Sequence, residues 1–221
     1  MSETESNRRP IADVLRSTAH VMVRWCAKKG IQPNTISYFS IVAAMVAGLS
    51  FAFAKHQHFL LLNGVAFCFV RLYCNMLDGM VAIETKQCSK TGEVANELPD
   101  RVSDVMIFIG IAHSGLCQVL LGYWAAILSL VVAYLGTLGQ AVGTKRDFSG
   151  PMSKPWRMVW LSCGVVGFWL LGDNCLFPYS FGIIDAALSA IVVGCITTFF
   201  ERLYRITTAL TSLEASQVGS E

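Results

Sequence analysis

The sequence is poor in charged residues: Asp, Glu, Lys and Arg together fill 14% of its 221 positions, whereas hydrophobic residues fill 54%. A soluble domain usually carries about a quarter charged residues, so this shortage argues against a soluble protein and indicates a membrane protein. No polar linker interrupts the apolar part, which argues against several separate domains. We therefore predict a single bundle.

Cysteine pairs and internal repeats are also missing. The chain has eight cysteines but no C-x-x-C pair, and most of them lie in apolar runs. This pattern argues against a metal site or a disulfide framework and predicts buried thiols. The lack of an inverted repeat argues against a transporter.

What the chain does have is long apolar segments. Six are about long enough to cross a bilayer. They run from Thr35 to Ala54, Phe59 to Leu77, Pro99 to Cys117, Val119 to Val142, Arg157 to Leu171 and Phe181 to Phe200. The predicted fold is an all-α integral membrane protein with six transmembrane helices in a bundle over residues 34–206, followed by a frayed polar tail over 207–221.

The amino-terminal arm, residues 1–33, shows a helical apolar stripe. The stripe consists of Ile11, Val14, Leu15, Thr18, Met22, Trp25 and Cys26. Basic residues lie mostly off it, which predicts an amphipathic helix on an anionic membrane surface. A helix packed against another protein face is the alternative.

Basic residues fall on one side of the predicted topology. They occur in the arm, in the second connection, in the fourth connection (Lys145, Arg146, Lys154 and Arg157) and after the last segment, whereas the opposite side has only Lys55. This predicts cytoplasmic termini, in a plasma (inner) membrane protein. For the fourth connection, anchoring to anionic lipid is favoured over binding of a phosphate.

Acids and amides concentrate where the second segment meets the third. Arg71, Asn75 and Asp78 share one helix face, and Asn96, Asp100 and Asp104 share another. If the two faces converge at the cytoplasmic edge, their oxygens suit a hard cation such as Mg²⁺, which works through carboxylates and substrate phosphates.

Small residues accompany these acids. Gly79, Ala82 and Gly92 would let a planar or phosphorylated ligand approach the backbone closely. Metal, phosphate and a spare carboxylate together are typical of phosphoryl-type transfer. The alternative is that acids at helix ends are merely solvated, which applies most to Glu84, Glu93 and Glu97.

This stretch resembles the CDP-alcohol phosphotransferase family. Members carry the pattern D-x2-D-G-x2-A-R-x8-G-x3-D-x3-D, and this chain matches five of the eight defined positions in the same register. The matching residues are Asp78, Gly79, Ala82, Gly92 and Asp100. The QPNTIS segment at 32–37 also resembles the entry sequence of the family, so the resemblance covers residues 32 to about 206.

The resemblance implies a phosphatidyltransferase. Asp78 would be a metal ligand, Asp100 both a metal ligand and the general base, and Gly79, Ala82 and Gly92 would line the cytidine nucleotide. The implied cofactor is Mg²⁺ or Mn²⁺. The implied partners are CDP-diacylglycerol or another CDP-alcohol, a small alcohol acceptor, membrane lipid and a second copy in a homodimer, with no nucleic acid.

The chain departs from the family pattern at three positions. Asn75 and Asn96 stand where the first and third aspartates are expected, and Ile83 stands where arginine is expected. Each amide keeps one oxygen as a ligand but loses a charge, so weaker metal binding is expected. Glu93, Glu97 or Asp104 are candidates to restore the charge, and Arg71 or Arg101 to replace the arginine.

Two other functions remain open at the level of sequence. A catalytically degenerate member would bind nucleotide-lipid or a partner without turnover. A small transporter would use Arg71, His113 and Asp185 to line a path across the membrane.

Overall fold

Seven helices form almost all of the computed structural model, which describes residues 10–86, 90–144, 147–172 and 181–218. They are α1 (Pro10–Lys29), α2 (Pro33–Ala52), α3 (Phe59–Glu84), α4 (Lys90–Ala112), α5 (Val119–Ala141), α6 (Lys154–Leu171) and α7 (Ile183–Val218). The all-helical prediction is confirmed.

Four of the helices in the described ranges are long and apolar enough to cross a membrane: α2, α3, α5 and the Ile183–Leu213 part of α7. The other two predicted spans correspond to α4 and α6. These helices carry Asp100, Asp104 and Arg157, which are all buried. These three charged residues of α4 and α6 therefore point into the bundle.

The bundle is closely packed around α2 and α4. A Cβ atom added to Gly110 on α4 would lie 2.2 Å from the carbonyl oxygen of Gly48 on α2. Only glycine allows the two backbones to approach this closely. Helix α2 also packs against α3, α4 packs against α5, and α6 lies between α3 and α7. This arrangement brings the carboxyl-terminal half of α3, the first half of α4 and the start of α6 to one end of the bundle.

The helix ends near the motif differ from the predicted segments. Helix α3 continues to Glu84, seven residues beyond the predicted end at Leu77, and α4 begins at Lys90. Pro99, the first residue of the third predicted segment, lies inside α4. All the motif residues therefore lie on two helices.

Helix α1 packs on α3 through part of the predicted stripe. Among the α1 side chains that the structure describes, Cys26 is buried, as expected, and so is Val23. Both belong to one apolar cluster with Leu77 and Val81 of α3. Met22 and Trp25 of the stripe are exposed, and the side chains of Ile11, Val14, Leu15 and Thr18 lie outside the described residues. The described part of α1 therefore packs on α3 through Val23 and Cys26 and leaves Met22 and Trp25 uncovered.

Two smaller predictions need correction. Helix α7 continues to Val218, so residues 207–218 of the predicted frayed tail are helical, and residues 219–221 lie outside the described residues. Among the cysteines, Cys26, Cys68 and Cys195 are buried, whereas Cys163 is exposed. Cys88 and Cys175 lie outside the described residues.

Candidate active site

The polar faces of α3 and α4 meet. Asn75 donates hydrogen bonds from Nδ2 to Oδ1 of Asp100 at 2.7 Å and to Oδ1 of Asn96 at 3.2 Å. The i, i+4 spacing of Asn96 and Asp100 places both on the side of α4 that faces Asn75. Three of the four predicted metal ligands are thus brought together directly.

Asp78, the fourth predicted ligand, lies one turn further along α3 and faces α2. Its Oδ2 accepts a hydrogen bond from the Ser37 hydroxyl at 2.5 Å. Its Oδ1 is buried and has no hydrogen-bond partner in the described part of the chain. A buried carboxylate oxygen without a donor is costly, so this atom marks a place where a cation or a ligand donor would be stabilising. Sequence reasoning missed Ser37, although it lies in the QPNTIS segment.

Beneath the motif lies a buried ionic network between α3, α4 and α6. Asp104 accepts from Arg71 Nη2 at 2.7 Å through Oδ1 and from Arg157 Nη2 at 2.8 Å through Oδ2. Arg71 Nη2 also lies 3.2 Å from the backbone oxygen of Asp100 and 3.5 Å from its Oδ1. Both arginines and Asp104 are buried. The network fixes α4 relative to α3 and α6.

Lys154, the first residue of α6, extends over this network into the motif. Its Nζ forms an ion pair with Oδ2 of Asp100 and donates a hydrogen bond to Oδ1 of Asn75. The side chain is 19% exposed, so it is the accessible cation of the group. Lys154 therefore contacts two of the four predicted metal ligands.

These contacts correct several predictions. Lys154 and Arg157 were expected to anchor the chain to lipid, but both face inward and bind carboxylates. Asp104 cannot restore charge to a metal site, because two arginines neutralise it. Glu97 forms an ion pair with Arg101 instead. The side chain of Glu93, together with Lys145 and Arg146, lies outside the described residues.

A cavity of about 410 Å³ opens beside the motif. Helices α3 to α7 and the α5–α6 connection all contribute to its wall. Its polar lining consists of Asn75, Asn96, Glu97, Asp100, Arg101, Asp147, Ser153, Lys154, Arg157 and Arg202. The cavity is large enough for a phosphate-bearing headgroup, and its cations would favour an anionic one.

The far wall of the cavity is held by α7. Arg202 donates from Nε to the Ser149 carbonyl and from Nη1 to the Val132 carbonyl, each at 2.9 Å.

Asp147 lies in the α5–α6 connection and also lines the cavity. Partial burial would raise the pKa of the Asp147 carboxyl, but hydrogen bonds from Ser149 and the charges of Arg205 and Arg202 outweigh this and lower the pKa. Asp147 is therefore a carboxylate that holds the connection against α7.

The small residues of the motif lie apart from this lining. A Cβ atom added to Gly79 would meet nothing within 4 Å, so the helix surface there is open. Ala82 and Gly92 are partly exposed. Ile83, at the expected arginine position, is 73% exposed and Arg71 is fully buried. Neither Arg71 nor Arg101 is free to replace the missing arginine, because each binds a carboxylate.

The three polar residues that a transport path would use, Arg71, His113 and Asp185, each have a separate partner. Asp185 accepts from the backbone N–H of Gln118 at 2.7 Å and of Gly182 at 2.9 Å. His113 contacts the Tyr123 hydroxyl at 2.8 Å, and Arg71 binds Asp104. Asp185 thus joins the starts of α5 and α7, which is a structural role.

The donor set fits one divalent cation better than a pair. Oδ1 of Asp78 is available and Asp100 supplies a second carboxylate, while the amide oxygens of Asn75 and Asn96 add neutral donors. Hard cations such as Mg²⁺ are bound by one or two carboxylates with substrate phosphates. The part of the chain that the structure describes holds no group of three or more His, Cys, Asp or Glu able to bind a metal.

The family is decided by a match over most of the chain. Residues 31–200 match the model of the CDP-alcohol phosphatidyltransferase family. The chain belongs to this family. The resemblance seen in the motif is confirmed, and it extends through the bundle from α2 to α7.

Relatives and solved structures agree with that assignment. The chain is 26% identical to inner membrane protein YnbA of Escherichia coli, over 76% of this chain and 85% of that protein. It is 24% identical to phosphatidylinositol phosphate synthase of Mycobacteroides abscessus, over 97% and 94% of the two chains.

The fold is shared with a solved enzyme. Phosphatidylinositol phosphate synthase of Mycobacterium tuberculosis with CDP-DAG bound superposes with a TM-score of 0.68 at 20% identity, over 85% of this chain and 92% of that one. A structure of the same enzyme with manganese and citrate gives a TM-score of 0.69 at 20% identity, over 86% and 89%.

Proposed function

We propose that this protein transfers a phosphatidyl group, a substituted phosphate, from CDP-diacylglycerol or another CDP-alcohol to an acceptor alcohol and releases CMP. The observation that carries the proposal is the meeting of Asn75 with Asn96 and Asp100 beside the 410 Å³ cavity. Family membership supplies the reaction class. The names of the relatives support a phospholipid product.

The reaction forms one bond and breaks another at phosphorus. The acceptor hydroxyl oxygen attacks the phosphorus that carries the lipid alcohol, the bond from that phosphorus to the CMP oxygen breaks, and CMP leaves with the electron pair. We assign Asp100 as the base that takes the hydroxyl proton, because it lines the cavity and a base must lie within hydrogen-bond reach. Both its oxygens already have donors, so the hydroxyl must displace one. Asn75 and the buried Arg71 contact Oδ1, whereas the partly exposed Lys154 contacts Oδ2 and is more easily displaced.

Asp78, Asp100, Asn75 and Asn96 would hold the divalent cation, Mg²⁺ or Mn²⁺. When bound, the cation supplies Lewis-acid stabilisation of the charge on the phosphoryl oxygens. The open helix surface at Gly79, with Ala82 and Gly92, is the proposed place for the cytidine nucleotide. A planar ring can approach a backbone that lacks a Cβ atom.

The proposed topology has six membrane spans, α2 to α7, with α1 on the membrane surface, in an inner (plasma) membrane. Both termini and the site would face the cytoplasm, because the basic residues flank that side. A homodimer is proposed on family resemblance alone.

Binding without turnover is a second candidate, and one observation favours it. Asp100 and Asp104 contact three cations, Arg71, Lys154 and Arg157. Asp78, which lies close enough to interact electrostatically with Asp100 and Lys154, brings the group to neutrality. A neutral group attracts a divalent cation weakly, so a family member of this kind would bind nucleotide-lipid without catalysis.

Release of CMP by the purified protein distinguishes catalysis from binding without turnover. The donors would be CDP-diacylglycerol and CDP-choline, each with a panel of alcohols with and without phosphate groups, and with Mg²⁺, Mn²⁺ or EDTA. Asp100→Asn would be tested beside Glu201→Gln, an exposed carboxylate on α7 whose side-chain partner is Arg205. Metal-dependent CMP release that Asp100→Asn abolishes and Glu201→Gln retains establishes the enzyme. Stabilisation by CDP-diacylglycerol without CMP release supports the binding protein.

A further inference from the structure

The most informative side chain that the family motif does not contain is Lys154. It comes from α6, 54 residues after Asp100 in the sequence, and its ammonium contacts Oδ2 of Asp100 and Oδ1 of Asn75. These are oxygens assigned above to a divalent cation. An ammonium and a metal ion cannot occupy the same oxygens at once, because both are cations that need those lone pairs.

Two further features agree with a cation supplied by the chain. The aspartates expected at positions 75 and 96 are asparagines, so the motif holds two carboxylates, Asp78 and Asp100. The Asn75 amide is oriented by Lys154 on one side and Asp100 on the other: its oxygen accepts and its nitrogen donates. One bound divalent metal and the Lys154 ammonium together carry a charge of +3 against the −2 of the two carboxylates. Two bound divalent metals would carry +4 against the same −2.

The buried Oδ1 of Asp78 is the independent sign that a cation position remains. It is the one oxygen among the two motif carboxylates and the Asn75 amide without a donor in the described chain. Lys154 therefore donates to oxygens of Asp100 and Asn75 and leaves Oδ1 of Asp78 without a donor.

Resting on the proposed function, we infer that Lys154 is a tethered cation that takes the place of one divalent ion in this site. The site binds a single divalent cation, at the Asp78 side, and Lys154 competes for Asp100. In this chain the lysine is a positioning residue: it holds Asp100 and Asn75 toward the cavity and sets the metal affinity of the motif. The contact with Lys154 also explains why asparagine is tolerated at position 75, since an amide oxygen accepts a hydrogen bond from an ammonium without adding a negative charge.

The test is direct Mn²⁺ binding, without nucleotide, measured by electron paramagnetic resonance on the purified full chain in detergent. The variants are Lys154→Met and Lys154→Gln, which remove the charge, and Lys154→Arg, which keeps it. Lys55→Gln is the matched control, because Lys55 is exposed in the α2–α3 connection. A neighbouring unit charge shifts proton binding to a carboxylate by roughly tenfold to a thousandfold, so we expect Mn²⁺ to bind at least about tenfold tighter to the Met and Gln variants. The Arg variant and the Lys55 variant should match the unmodified protein.

Unchanged or weaker Mn²⁺ binding in folded Met and Gln variants would overturn the inference, and so would more than one bound Mn²⁺ per chain in the unmodified protein. If neither neutral variant folds, amine labelling of the unmodified protein gives the answer. With one Mn²⁺ bound per chain at the Asp78 side, Lys154 should stay paired with Asp100, so its labelling rate relative to Lys55 should be the same with and without Mn²⁺. A labelling rate raised by Mn²⁺ would show that the metal takes Asp100 from Lys154 and would contradict the inference. Because no substrate is present, these results are independent of CMP release, so failure of the inference is distinguishable from failure of the proposed function.

Discussion

Arg157 on α6 donates a hydrogen bond from Nη2 to Oδ2 of Asp104 on α4 at 2.8 Å, and both side chains are 2% exposed. Together with Arg71, which reaches the other oxygen of Asp104, this contact joins three helices directly below the motif. The position of Asp100, one turn before Asp104, depends on it. The motif thus rests on an ionic layer that the family pattern does not mention.

Asp104→Asn should strongly destabilise the protein, because two buried guanidinium groups would lose their counter-charge. Breaking a buried ion pair from one side costs about 3–5 kcal/mol, which is roughly 6–20 °C in melting temperature for a chain of this size. Thermal denaturation in detergent would measure it. The control is Glu201→Gln, whose exposed pair with Arg205 contributes little. A melting temperature unchanged in Asp104→Asn would show that the arginines find other partners.

Ser37→Ala should reduce both stability and activity. It removes the hydroxyl that donates to Oδ2 of Asp78 and leaves a buried carboxylate with no described side-chain donor, at a cost of about 1–3 kcal/mol. If Asp78 binds metal, its altered position should also lower kcat by roughly tenfold, since 1.4 kcal/mol corresponds to a factor of ten. Rates of CMP release against Mn²⁺ concentration would show the effect. Ser37→Thr keeps the hydroxyl and should retain most of the activity; equal losses in both variants would point to packing instead.

Gly79→Ala should raise stability and lower affinity for the CDP-alcohol. The added methyl group meets no atom within 4 Å, and alanine is better than glycine in a helix by about 1 kcal/mol. A nucleotide lying on this surface would meet the methyl group, so KM for CDP-diacylglycerol should increase several-fold. The contrasting variant is Gly110→Ala, which should lower the melting temperature because its Cβ would lie 2.2 Å from the Gly48 oxygen. An unchanged KM in stable Gly79→Ala would place the nucleotide elsewhere.

Asn75→Asp should tighten Mn²⁺ binding by roughly tenfold, because it returns one negative charge to the direct surroundings of the cation. Isothermal titration calorimetry with Mn²⁺ would measure the change, with Asn63→Asp as a control for the charge change itself. Asn63 lies on α3 and donates to Ser50 at 2.8 Å, away from the motif. If the unmodified protein releases no CMP but Asn75→Asp combined with Asn96→Asp does, the asparagines explain a lost activity. Weaker Mn²⁺ binding in Asn75→Asp would show that the new carboxylate pairs with Lys154 instead.

The sequence alone was sufficient for the helical class and for the family, and it showed which polar residues share a helix face. Apolar length predicts helices, and the i, i+4 spacing of Asn96 and Asp100 places both on one face of α4. The contact of that face with Asn75 of α3 belongs to the tertiary structure. The sequence alone could not determine which charged side chains neutralise one another. Lys154 and Arg157 are ordinary basic residues beside a membrane segment when read in order along the chain. Only the packing of α6 against α3 brings them to Asp100 and Asp104, and only the contact of α2 with α3 gives Asp78 its partner Ser37. The strength of a buried ionic contact depends on distances between residues remote in sequence, and those distances are set by how the helices pack.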